Sequence, residues 1–151
     1  MRIQRNPNAR TKAFLLTVLF ALLPCCDSAS SSSPTAAVKK FYAALNGGNV
    51  YAVVHSYSTD WIKRNGGLER AVKNSELVVA LTQDNIKRSG HTPELHNVRE
   101  IIDGDKADVA FEQGAPGESG GFPAVIHLVK EDGEWKINDG DVSISPSVQP
   151  H

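Results

Sequence analysis

His127 is the residue of this chain whose type and setting could do chemistry. It stands inside the run Phe122-Pro123-Ala124-Val125-Ile126-His127-Leu128-Val129-Lys130. An imidazole there could act as a general acid or base, or as a polar anchor for a ligand. In an extended strand it points away from Ile126 and Leu128 and shares its face with Val125 and Val129. The competing reading is a hydrogen-bonded structural histidine, or one on an outer face. Tyr42, Tyr57 and Trp61 could wall a pocket, although aromatics at helical spacing also serve simply as core.

Other chemistries lack their residues. His91 and His96 flank a proline-containing segment without a matching carboxylate or thiol set, so no metal site is expected. Asp103-Gly104-Asp105 and Asp139-Gly140-Asp141 hint at calcium, but neither continues with EF-hand spacing, and both read as turns. A Cys-x-x-Cys pair and a phosphate-binding glycine loop are missing, and no cofactor is expected. The glycines between 113 and 121 precede no helix that could supply an anion site.

The element that must position His127 is a β-hairpin. Its apolar run is rich in β-branched residues, Asp132-Gly133 suits a tight turn with positive φ, and Trp135 and Ile137 resume the alternation on a return strand. Such a hairpin needs a cover for its apolar face, and upstream helices supply it. Ser33-Pro34 opens the first, on which Val38, Phe41, Tyr42 and Leu45 form one stripe before Gly47-Gly48 ends it. Asn49 caps a short second helix with Val50, Val53, Val54 and Tyr57 on one side. Ser58-Thr59-Asp60 then reads as an interruption, Trp61-Ile62 as an apolar plug, and Asn65-Gly66-Gly67 as a turn.

A third, longest helix is expected from Leu68 to a stop at Gly90, with a bend near Asn74-Ser75 where both side chains compete for backbone hydrogen bonds. Strand texture follows from Val98 to Ile102, then a turn at Asp103-Gly104-Asp105, then Ala107, Val109 and Phe111 alternating with polar neighbours. Gln113 to Gly121 reads as a loop, and the tail could add an edge strand as far as Ile144. Helices first and an antiparallel meander afterwards indicate an α+β fold, three N-terminal helices packed on a curved four-stranded sheet.

The chain start carries an address. Arg2, Arg5, Arg10 and Lys12 precede the apolar block Ala13 to Leu23, the pattern of a secretory signal and too short for an ordinary membrane-spanning helix. Cys25-Cys26 closes that block; neighbouring thiols rarely pair, because a vicinal disulfide strains the peptide between them. The placement resembles a bacterial lipoprotein signal, with Cys26 as the lipidated residue and Ser28 to Ser33 as a flexible tether. The alternative is ordinary cleavage near Ser28-Ala29-Ser30, releasing a soluble protein. The organisation expected is therefore signal at 1–26, tether at 27–33, one domain at 34–145 and a frayed tail at 146–151. Without the signal, 12 basic residues remain of the original 16 against 17 acidic ones, and no Lys/Arg stripe is left to engage nucleic acid.

The stretches "AVKKFYAALNGGN", "GGLERAV", "IIDGDKADVAF" and "VIHLVKEDGEWKI" give the chain a resemblance to the lipoprotein-associated domains of unknown function with the cone-shaped nuclear transport factor two-like fold, over about Pro34 to Asn138. The resemblance implies a sheet wrapped around helices with a pocket between them, and it implies no catalytic set. Enzymes of this fold class, such as ketosteroid isomerases and polyketide cyclases, place Asp, His or Tyr in that pocket, yet no matching motif is present and fold alone does not transfer chemistry. The expected function is non-enzymatic binding of a small apolar ligand or a partner protein by a membrane-anchored cell-envelope domain. The alternatives are a pocket enzyme using His127, and a structural module that forms a homodimer sheet to sheet.

Overall fold

A computed structural model describes residues 33–118 and 120–140. The signal, Cys26, the tether from 27 to 32 and the tail beyond Gly140 lie outside the described residues. The elements run α1 (Pro34–Asn46), α2 (Val50–His55), α3 (Thr59–Arg64), α4 (Leu68–Ser89), β1 (Glu94–Asp103), β2 (Lys106–Gly114), β3 (Phe122–Glu131) and β4 (Glu134–Gly140).

Helix α1 is fixed at both ends. The Ser33 hydroxyl accepts the Ala36 N–H at 3.1 Å, and Pro34 occupies the first turn where its missing N–H costs nothing. The Glu100 carboxylate of β1 accepts from the Thr35 N–H at 3.0 Å and from its hydroxyl at 2.5 Å, placing negative charge where the helix dipole favours it. At the other end Gln83 of α4 donates to the carbonyls of Leu45 and Asn46 at 3.2 and 2.7 Å. The stripe Val38, Phe41, Tyr42 and Leu45 is buried throughout, as its spacing indicates.

One more helix forms than the sequence spacing indicates. Ser58 does not break the chain; its side chain caps α3 by accepting the Trp61 N–H at 3.0 Å. The Glu131 carboxylate reinforces that end by accepting from the Thr59 N–H at 3.0 and 3.1 Å. No residue of α3 is fully buried, so no apolar stripe announced it. In α4 the expected bend does not interrupt the helix, which runs unbroken for 22 residues past Asn74-Ser75 and stops at Gly90, whose φ of 75° suits glycine.

The strands form one antiparallel meander in the order β1-β2-β3-β4. Asp132 and Gly133 both have positive φ, 51° and 83°, the conformation that a two-residue hairpin turn of the primed kind requires. The register pairs Val109 with Ile126 and Ala107 with Leu128, and Leu128 with Ile137. Those residues, with Phe111, Ala124 and Trp135, form the buried sheet face that α1 and Val53 of α2 cover. The outer edge of β4 is closed by the chain between α2 and α3, where Ser58 N–H donates to Ile137 O and Ile137 N–H to Ser56 O, each at 2.8 Å. Strand β1 carries a bulge between His96 and Arg99, with Asn97 at φ 52°, and leaves Ile101 and Ile102 largely exposed.

Candidate functional site

A cavity of about 300 Å³ opens at the end of the domain where the C-terminal halves of α1 and α4 meet the loop between β2 and β3. Of its lining, Tyr42 and Leu45 of α1 are buried and Asn46 of α1 and Val78 and Thr82 of α4 are half-buried, while Ser89, His91, Glu118 and Phe122 form an exposed rim. The rim has a close seam. Gly114 and Gly121 bring the two ends of the loop together so closely that a Cβ on Gly114 would stand 2.7 Å from the Gly120 carbonyl oxygen. His96 of β1 steadies the loop through a 3.3 Å contact from its Nε2 to the Ala115 carbonyl.

The depth of the cavity is apolar with a few polar groups. Tyr42 is held edge-on between Phe41, at 5.5 Å, and Phe111, at 5.4 Å between ring centroids. Burial pushes the Tyr42 phenol far above its ordinary value, with a smaller contribution from Tyr57, so the hydroxyl keeps its proton. Thr82 turns its hydroxyl back to the Val78 carbonyl at 2.9 Å and is spent on its own helix. Among the described residues no Lys or Arg lines the cavity. Among them, too, no hydrogen bond holds the side chains of His91 or Glu118, and no group of three His, Cys, Asp or Glu side chains is arranged to hold a metal ion.

The order of elements and the sheet topology have counterparts among solved structures. A candidate NTF2-like transpeptidase from Campylobacter jejuni superposes with a TM-score of 0.53 at 18% identity, over 71% of this chain and 99% of that one. A candidate ketosteroid isomerase from Shewanella frigidimarina superposes with a TM-score of 0.50 at 26% identity, over 69% of this chain and 89% of that one. The chain has the NTF2-like fold. No family model matches the sequence, and no curated protein matches it.

Within this NTF2-like frame the four residues singled out from sequence part company. Tyr42 does line the cavity. Tyr57 and Trp61 do not; they stack on each other at 3.8 Å and 8° beside β4, where burial pushes the Tyr57 phenol up to about 12. His127 is outside as well, and its expected place in the pocket is corrected. Ile126 and Leu128 take the buried face, so the side chain between them emerges on the outer face of the sheet, half-exposed, with Nδ1 2.6 Å from Oδ1 of Asp108 directly opposite on β2. An exposed pair of this kind contributes little, because water screens it. Replacing His127 by Ala is expected to change the stability measured by urea unfolding by less than about 1 kcal/mol and to leave the cavity unaffected.

The residues that sequence reasoning passed over are Asn46, Val78, Thr82, Glu118 and Phe122. Val78 and Thr82 are half-buried residues of α4, and the hollow they face exists only once α1 and the loop between β2 and β3 come together beside them. His91 was weighed for metal binding with His96, and both instead stand near the loop, one on the rim and one against Ala115.

Proposed function

We propose that this chain is a non-enzymatic binding domain of the cell envelope, carried on a lipidated Cys26 and a Ser-rich tether, whose cavity takes a small, mainly apolar molecule. The observation that carries the reading is the cavity itself, about 300 Å³ with a buried floor of Tyr42 and Leu45 and a rim of exposed side chains. That volume lies at the small end of pockets that enclose organic ligands, roughly 300–1,000 Å³. The membrane anchor rests on the sequence around Cys25-Cys26 and its Ser-rich continuation.

The enzyme reading has one observation in its favour. The solved structure from Shewanella frigidimarina is described as a candidate ketosteroid isomerase, and a protonated tyrosine in a cavity can polarise a carbonyl. Its weakness is the missing partner. His127 is on the other side of the sheet, and His91 and Glu118 stand exposed at the rim without a group to orient them among the described residues.

Native mass spectrometry of the protein taken from its own envelope tests both parts. The expected result is a chain beginning at a lipid-modified cysteine and carrying a second, non-covalent mass. In a Val78→Trp variant the indole fills the cavity floor, and the non-covalent mass disappears while the lipid stays. A chain that begins after Cys26 without lipid defeats the anchor. Retention of the small molecule by the folded variant defeats the cavity as its site.

A further inference from the structure

Strand β3 begins at Phe122, yet its ladder with β4 begins only at Ile126, opposite Gly140, so Phe122 to Val125 have no strand on that side among the described residues. Their other side is paired with β2 throughout, from Phe122 opposite Gln113 to Val125 opposite Ala110. The open edge has backbone groups to offer. Lys130 N–H donates to Asp105 O at the β2 side at 2.8 Å, so alternation turns the N–H and carbonyl of Val125, five residues away, toward the side of β4, with the Pro123 carbonyl beside them. Pro123 has no N–H to leave unpaired there, which is the place a sheet tolerates a proline. Strand β4 is aimed along this edge. At Gly140 it still runs so close to β3 that a Cβ would stand 3.3 Å from Ile126 Cγ1 and 3.4 Å from the Val125 carbonyl oxygen.

The chain continues as Asp141-Val142-Ser143-Ile144-Ser145 before Pro146, enough residues to reach Phe122. A bulge decides which of them would face inward. Leu128 is opposite Ile137 but His127 is opposite Asp139, so Asn138 is one extra residue on β4. A regular ladder from Leu128 and Ile137 would set Asp141 opposite Ala124 and Ser143 opposite Phe122. The bulged ladder sets Val142 opposite Ala124 and Ile144 opposite Phe122, and residues directly opposite share a face. Ala124 belongs to the buried sheet face, and Phe122 lines the cavity. The bulge is held in place: Asn138 Oδ1 accepts from the Ser58 hydroxyl at 2.8 Å and from Arg64 at 3.2 Å, and Arg64 also donates to the Asn138 carbonyl at 2.6 Å. We infer that residues 141–144 dock on the open edge of β3 as the continuation of β4, with Val142 closing the core beside Ala124 and Ile144 completing the cavity wall beside Phe122. The docking stands on the register alone, whereas the role of Ile144 as a wall of a ligand site rests on the proposed function.

Substitutions in the full chain test it, read by hydrogen exchange of the Val125 amide and by the melting temperature. Val142→Asp and Ile144→Asp place a charge on the inner face and are expected to speed that exchange at least about ten-fold and to lower the melting temperature by about 4 °C or more. Ser143→Asp, on the outer face, should do neither. If an Asp variant does not fold, Val142→Ser and Ile144→Ser take its place with the same expected order. Damage from Ser143→Asp in place of its neighbours overturns the bulged register, and three silent substitutions overturn the docking itself. In native mass spectrometry Ile144→Asp should lose the small molecule that Ser143→Asp retains. Retention by Ile144→Asp, with its Val125 exchange accelerated, removes Ile144 from the cavity wall while the docking stands. An unmodified protein that carries no small molecule, with its Val125 amide protected, defeats the ligand site and not the docking.

Discussion

Phe41→Ala is expected to cost roughly 3–5 kcal/mol, the range for truncating a well-packed aromatic. Phe41 is 1% exposed and stands where α1 crosses the buried sheet face. Its ring meets Tyr42 edge-on at 5.5 Å and Tyr57 at 5.7 Å, so one substitution loosens both the cavity floor and the aromatic stack beside β4. Each such aromatic pair adds about 0.5–1.5 kcal/mol to the area term. A domain of this size holds only about 5–15 kcal/mol in all, so a substantial part of its stability would go. Urea unfolding should show a lower midpoint with an unchanged slope, and a melting temperature lower by more than about 10 °C. A loss below about 1 kcal/mol would mean that the ring does not join α1, α2 and the sheet in the way its contacts indicate.

What could be read in the sequence follows the range over which each feature is determined. The stripe of α1, the cap at Ser33, the stop at Gly90 and the turn at Asp132-Gly133 each depend on a few neighbouring residues, and each is found where the spacing indicates. Ser58 shows how the same local signal admits two readings: a Ser-Thr-Asp cluster interrupts one helix and caps the next, and only the short helix from Thr59 to Arg64 decides between them. For His127, alternation separates two faces, Ile126 and Leu128 against Val125, His127 and Val129, and both are apolar enough to be inside. The deciding fact is the register, which pairs Val109 with Ile126 and Ala107 with Leu128 and so joins the buried face of β2 to theirs. The glycine-rich loop from Gln113 to Gly121, whose length does not set a turn type, conceals that register in the sequence.

The cavity depends on still longer range. Its floor comes from α1 and α4, which α2 and α3 separate in the chain, and its rim from a loop further on, so no window of sequence contains it. Two buried polar atoms without a partner among the described residues, Tyr42 Oη and Asn46 Oδ1, are legible only in the structure. Both sit on α1 at helical spacing, and a polar Asn at the end of an apolar stripe looks like an ordinary helix terminus until Gln83 of α4 is seen to have taken the carbonyls there.

The seam of the loop carries the other large effect. Gly121 has an ordinary backbone conformation, so its need for glycine is one of space alone: a Cβ there would collide with the Gln113 carbonyl oxygen, lie 2.6 Å from the Gln113 carbonyl carbon and 3.0 Å from the Gly114 nitrogen. All three are backbone atoms, which cannot turn aside as a side chain would. In Gly121→Ala the strands must part where Gln113 pairs with Phe122, and both of those residues line the cavity. The expected loss is about 1–3 kcal/mol of stability, together with at least about ten-fold weaker binding of whatever the cavity holds. Gly117 is the contrast within the same loop. Its φ is 77° with open space where a Cβ would stand, and Asn, which tolerates the left-handed region, should replace it at little cost. Equal behaviour of Gly121→Ala and Gly117→Asn in unfolding and ligand titration would show that the loop ends do not need their close crossing to hold the rim of the cavity in place.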